Sequence, residues 1–189
     1  EILFTSCLND KKRLQEILGE LKSRMQSNMI SAGHQVAAGR AASYFSKSAA
    51  IQDTLTGLPA YRLVDRIEGD MDAYADELIN GLTGICKYLF TRENLMFDFT
   101  GEESEYSEFV SLADAFAKKL GSQNITADSI PVVPEKRNEG FLSASQVQYV
   151  CRAGNYRKGG LSYTGALRVL KVIMGYDYLW NQVRVKGGA

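Results

Sequence analysis

The sequence holds one histidine, His34, in 189 residues. A catalytic zinc site takes two or three imidazoles, or cysteines at close spacing, to supply its nitrogen or sulfur ligands. These residues alone therefore build no such site. A Ser-His-Asp triad would also run through His34, and no G-x-S-x-G elbow accompanies it. His34, between Gly33 and Gln35, reads instead as a surface or helix-end residue. Cysteine is equally sparse. Cys7, Cys86 and Cys151 are odd in number, far apart and set in apolar surroundings, which fits reduced core thiols better than a disulfide framework and favours a reducing compartment. Bacterial cytoplasm is the first expectation, and an organelle matrix is also compatible. Charge of one sign is lacking too, with 22 Lys plus Arg against 22 Asp plus Glu, so no global field favours nucleic acid or an anionic membrane as a partner. No run approaches the roughly 18 consecutive apolar residues of a membrane span, and no segment resembles a signal peptide.

What is present is enough apolar content, 45%, for one domain or two partial ones. Asn9 or Asp10 is placed to cap a helix carrying Leu14, Ile17, Leu18, Leu21 and Met25 on one face. Helices are also expected over 35–48, 61–67 and 71–90, the last with Leu78, Leu82, Ile85 and Leu89 inward. The apolar run 2–8 and the alternating segments 95–100 and 147–151 read as strands. Between the latter two, Ser104 is a candidate cap for a helix with the stripe Phe109, Ala113, Phe116 and Leu120, ended by Gly121. Residues 124–138, with Pro131 and Pro134, read as a connector, and 163–174 as a helix with Ala166, Leu167, Leu170 and Ile173 inward. The expected fold is α+β (α/β layered), helices packed on a mostly antiparallel sheet. Because the chain opens on Glu1 inside an apparent strand and stops at a double glycine, it is expected to be truncated at both ends.

Few residues point to chemistry. Glu102, Glu103, Glu105 and Glu108 offer paired carboxylates, but acidic residues gather at helix starts for dipole reasons, which is the stronger reading. Asn155 to Gly160 lacks the spaced glycines and terminal Lys-Ser or Lys-Thr of a phosphate loop, and a solvated turn explains it better than an anion site at Arg157 and Lys158. Arg184 and Lys186 precede Gly187 and Gly188. An arginine fork can hold a carbonyl or carboxylate, and glycines let an extended peptide backbone come near. An ordinary surface arginine accounts for Arg184 equally well at this point.

Several runs together resemble the presequence protease branch of the insulinase and pitrilysin zinc metallopeptidases: residues 41–46 (AASYFS) with Gly57-Leu58, 150–156 (VCRAGNY), 163–168 (YTGALR) and 176–189 (YDYLWNQVRVKGGA). The resemblance implies four related α/β units in two halves that close around an unfolded peptide. It places residues 1–123 late in the third unit and 139–189 at the opening of the fourth. The family's H-x-x-E-H zinc motif belongs to its first unit and does not occur here. Zinc is thus implied for the intact enzyme and none for this segment, whose partners would be the zinc-bearing N-terminal half of the same polypeptide and unstructured peptide substrates. Arg184 matches a family arginine that binds substrate and stabilises the tetrahedral intermediate, with Gly187 and Gly188 beside the substrate; the family's accompanying tyrosine would follow Ala189. The implied function is that of a non-catalytic C-terminal-half segment, inactive alone. The alternative is a zinc-free scaffold or peptide-binding module of the same superfamily.

Overall fold

The computed structural model describes residues 2–123, 129, 131–142 and 146–187. The chain divides into two units, residues 1–151 and 152–189. In the first, Asp10 Oδ1 accepts a hydrogen bond from Arg13 N at 2.9 Å and caps α2, Lys11–Ser31. A short helix, α1 (Ile2–Thr5), precedes it, and α3 (Gly33–Ser43), α4 (Lys47–Thr56), α5 (Leu58–Gly69) and α6 (Met71–Leu89) follow in close succession. Helix α5 lies against α2, α4 and α6, and α3 lies against α2 and α4. Lys22 of α2 fastens α5 by ion pairs to Asp65 at 2.8 Å and Glu68 at 2.9 Å.

The turns explain where these helices stop. Ser46 Oγ accepts from Ala49 N and opens α4, a helix the sequence reading did not anticipate. Gly57 N donates to the Asp53 carbonyl at 2.8 Å, and a Cβ on Gly57 would collide with Asp53. Only glycine therefore allows α4 to end there and α5 to begin one residue later, with Pro59 in its first turn.

Among the described residues there is no strand, only an isolated parallel bridge between Thr91 and Gly121. The expected α+β fold with an antiparallel sheet is overturned, and the described structure is all-α. Its apolar alternation is real but answers to a helix. Residues 95–100 run extended beside α7 (Glu103–Ala117), where Phe97 sits 6.0 Å from Phe109 and 6.1 Å from Phe116, and Phe99 stacks on Phe109 at 4.5 Å. The expected strand at 2–8 begins as α1, whose Phe4 meets Phe116 edge-on at 6.0 Å. Residues 147–151 are irregular, and Tyr149 rests against Gly33 and His34. Helix α7 starts at Glu102 without a side-chain cap, so Ser104 is not its cap, while Glu103 and Glu105 occupy its first turn as the dipole reading requires. The cysteines are free, yet Cys7 and Cys151 are exposed and Cys86 is half-buried, so they are not core thiols.

In the second unit a single turn at Tyr156–Gly159 precedes α8 (Gly165–Val172), which continues as a π-helix over Ile173–Val185. Every described residue of this unit except Asn155 is exposed, including Leu167, Leu170 and Ile173, which were expected to face inward. Among the described residues of the whole chain the buried hydrophobic side chains are Met71, Ala75 and Leu120. The accessible surface is 15363 Å². The size scaling of folded monomers gives about 10,000 Å² even when the two units are reckoned as separate bodies. No helix among the described residues is long and apolar enough to cross a membrane.

Ala75, 0% exposed near the start of α6, has no room to grow. Ala75→Leu is expected to destabilise by about 1–3 kcal/mol through overpacking. A urea midpoint equal to that of the wild type would show that the helices around it yield.

Candidate functional site

The arginine singled out by sequence, Arg184, sits in the last turn of the π-helix. Extended π-helical hydrogen bonding is rare and tends to occur at functional sites. Here the run closes with Lys186 N donating to the Asn181 carbonyl at 3.0 Å, the i to i+5 spacing. Arg184 and Lys186 therefore lie at a helix end. The Arg184 guanidinium lies over the Trp180 ring, 5.9 Å from its centroid. Stacking of this kind is worth about 0.5–1 kcal/mol at an exposed site, and it orients the planar fork without using its N–H groups. No carboxylate among the described residues forms an ion pair with Arg184. The fork is held, and its donors have no acceptor among the described residues. Gly187 has a local reason for lacking a side chain, since a Cβ there would collide with the Val183 carbonyl oxygen as the chain leaves the helix. Gly188 lies outside the described residues.

A second constellation was missed by sequence reasoning. Arg40, in the last turn of α3, donates Nη1 to Asp53 Oδ2 at 2.6 Å, and Nε and Nη2 to the two carboxylate oxygens of Glu139 at 2.9 and 3.0 Å. Tyr44 OH donates to the same Glu139 carboxylate at 2.5 Å, and its ring lies 5.4 Å from the guanidinium. The side chains of Arg40 and Asp53 are 17% and 9% exposed. Bidentate hydrogen bonding from Arg40, then the Tyr44 hydroxyl, holds the Glu139 carboxyl down to about 2, well below the usual carboxylate range. Burial and its bond to Glu139 push the Tyr44 hydroxyl the other way, upward. The cluster is satisfied from within. It fastens residue 139 to α3 and α4, and it offers no open position to a substrate. Its one sequence signal was Glu139 itself, the end of the charged run 135–139.

The residues present do not furnish a zinc site: among the described residues no group of three or more His, Cys, Asp or Glu is placed to hold a metal ion. Asn155 Oδ1 accepts from Arg157 N, so the segment 155–160 is a self-capped turn.

Residues 1–67 match the family model described as Peptidase M-16C associated. Across its whole length the chain is 32% identical to Protein HypA of Clostridium perfringens, of which it covers 19%. It is 24% identical to Presequence protease 1, chloroplastic/mitochondrial, of Arabidopsis thaliana, covering 17% of that protein. Its identity with the mitochondrial presequence protease of Saccharomyces cerevisiae is 26%, with 20% of that protein covered. The chain thus spans about a fifth of the length of the curated relatives it matches. No solved structure matches it.

Glu139 has a depressed carboxyl, so the stability its contacts confer is fully present above its unfolded value of about 4.3 and fades as pH falls toward 2. The gap in urea midpoint between wild type and Glu139→Gln should be constant above pH 5 and close toward pH 2. A gap independent of pH would mean that the carboxylate charge is not what holds this segment.

Proposed function

Because the chain belongs to the presequence-protease branch of the insulinase-like peptidases, we propose that it forms part of the C-terminal, non-zinc half of a zinc metalloendopeptidase that degrades short unstructured peptides. In this reading residues 1–123 are the later part of a third unit, 124–138 a connector and 139–189 the opening of a fourth. In this reading the zinc ligands come from the N-terminal half of the same polypeptide, consistent with the absence of a metal-ligand group among the described residues.

The observation that carries the reading is the accessible surface. Its excess over the folded-monomer scaling is about 5,000 Å², the scale of obligate interfaces. It includes large apolar side chains, with Leu170, Trp180 and Val183 50%, 55% and 51% exposed. Such faces are built to be covered by more protein. The chain is then a wall of a larger chamber, inactive alone.

Within the assembled enzyme Arg184 is the residue that touches substrate. Its fork, oriented by Trp180, donates to a substrate carbonyl oxygen and stabilises the negative charge that develops there. Gly187 and Gly188 lie beside the peptide backbone. A bacterial cytoplasm or an organelle matrix suits the three free thiols.

The test is cleavage of a quenched fluorescent peptide by the full-length polypeptide, with and without chelator, alongside Arg184→Ala. Chelator-sensitive activity that falls about a hundredfold in kcat in the variant, the scale of a lost oxyanion donor, is expected. Wild-type activity of zero would favour a zinc-free scaffold, and full activity in the variant would remove Arg184 from the mechanism.

A further inference from the structure

Helix α5 carries two arginines one turn apart, Arg62 and Arg66, both exposed. Like charges at i and i+4 repel, an arrangement that destabilises a helix unless something offsets it. The offset does not come from the helix's own acids, because Asp65 and Glu68 are both engaged by Lys22 of α2. Nor does either arginine form an ion pair with any other described carboxylate. Each is stacked instead: Arg62 lies 6.0 Å from the Phe141 ring centroid and Arg66 5.3 Å from that of Tyr74. The stacks set the two guanidinium planes and leave N–H donors available.

Both arginines line one groove of 910 Å³, within the range of ligand sites, between α3 to α5 and residues 132–137. The groove's other two arginines, Arg40 and Arg137, already have carboxylate partners. Leu63, Val133 and Pro134 give it an apolar wall. Paired free guanidiniums beside apolar surface match a carboxylate attached to a chain with side chains of its own, rather than a bare inorganic anion.

We infer that this groove binds a carboxylate of an extended peptide through Arg62 and Arg66, apart from the Arg184 contact. The identification of a peptide as ligand rests on the peptide-handling reading above; the free cationic pair does not. The carboxylate comes from an acidic side chain or from the peptide C-terminus.

Binding to the full-length polypeptide, in chelator so that nothing is cleaved, separates these sources. Three labelled versions of one unstructured peptide are compared by fluorescence anisotropy: one glutamate with an amidated end, glutamine in its place with an amidated end, and that glutamine peptide with a free C-terminus. The wild type is expected to prefer at least one carboxylate-bearing peptide over the neutral one by about tenfold or more, the scale of a charge-assisted hydrogen bond. The preferred version names the source. In Arg62→Gln/Arg66→Gln, whose glutamines keep helix propensity at exposed positions, the preference should vanish while affinity for the neutral peptide and the melting temperature stay within error. Equal binding of all three peptides by the wild type, or an undiminished preference in the double variant, overturns the inference. A preference that survives in a polypeptide with no cleavage activity sinks the peptidase reading and leaves this site standing.

Discussion

A guanidinium presents its N–H donors in one plane, so the groups it binds are fixed in direction as well as distance. Arg40 uses that plane to hold Asp53 on one edge and Glu139 on another. The second partner is 99 residues away in sequence. With the Tyr44 hydroxyl, it anchors the irregular segment after α7 on the helices, where residues 131–140 have no ladder or helix of their own. The groove along α5 exists only because that segment lies across it. Gly57 belongs to the same device, since it lets α4 end one turn after Asp53, with Gly57 N bonded to the Asp53 carbonyl.

This polar fastening matters more here than in an ordinary globular domain. A domain of this length normally relies on hydrophobic burial, yet so few apolar side chains are buried that the interior contributes little. Partly buried ion pairs and aromatic contacts, such as the Phe97, Phe99, Phe109 and Phe116 set, then carry an unusual share of the tertiary specification. Proteins that meet large obligate surfaces have this character before assembly: local helices formed by their caps, a few directional contacts between them, and apolar faces left for the partner.

Local signals were legible in the sequence for that reason. The Asp10 cap, the long helix from Met71 and the acidic start of α7 depend on neighbours a turn away, and all are where the sequence places them. The strands were misread because alternation reports only that one side of an extended segment is covered; at 95–100 the cover is α7. Helix α4 escaped notice because its apolar residues form no clear stripe. The inward faces assigned at 163–174 are exposed because helical spacing reports which residues share a face and not whether anything covers it. The Arg40 to Glu139 contact has no sequence period that would reveal it. Arg62 and Arg66 were not singled out in the sequence, because their lack of carboxylate partners follows only from seeing Asp65 and Glu68 turned toward Lys22.

Two physical arrangements of arginine contrast here. Arg40 is surrounded by acceptors, and its donors are consumed in holding the fold. Arg62, Arg66 and Arg184 are each laid on an aromatic ring, with no carboxylate partner among the described residues. A flexible cation on the surface loses side-chain entropy when it binds a ligand. A stacked one has given up part of that freedom in advance, so less is lost when a carboxylate or carbonyl arrives. An ion pair achieves the same rigidity only by occupying the donors. Aromatic stacking without an ion pair therefore suits an arginine that must be ordered and still available, as the roles proposed for Arg62, Arg66 and Arg184 require.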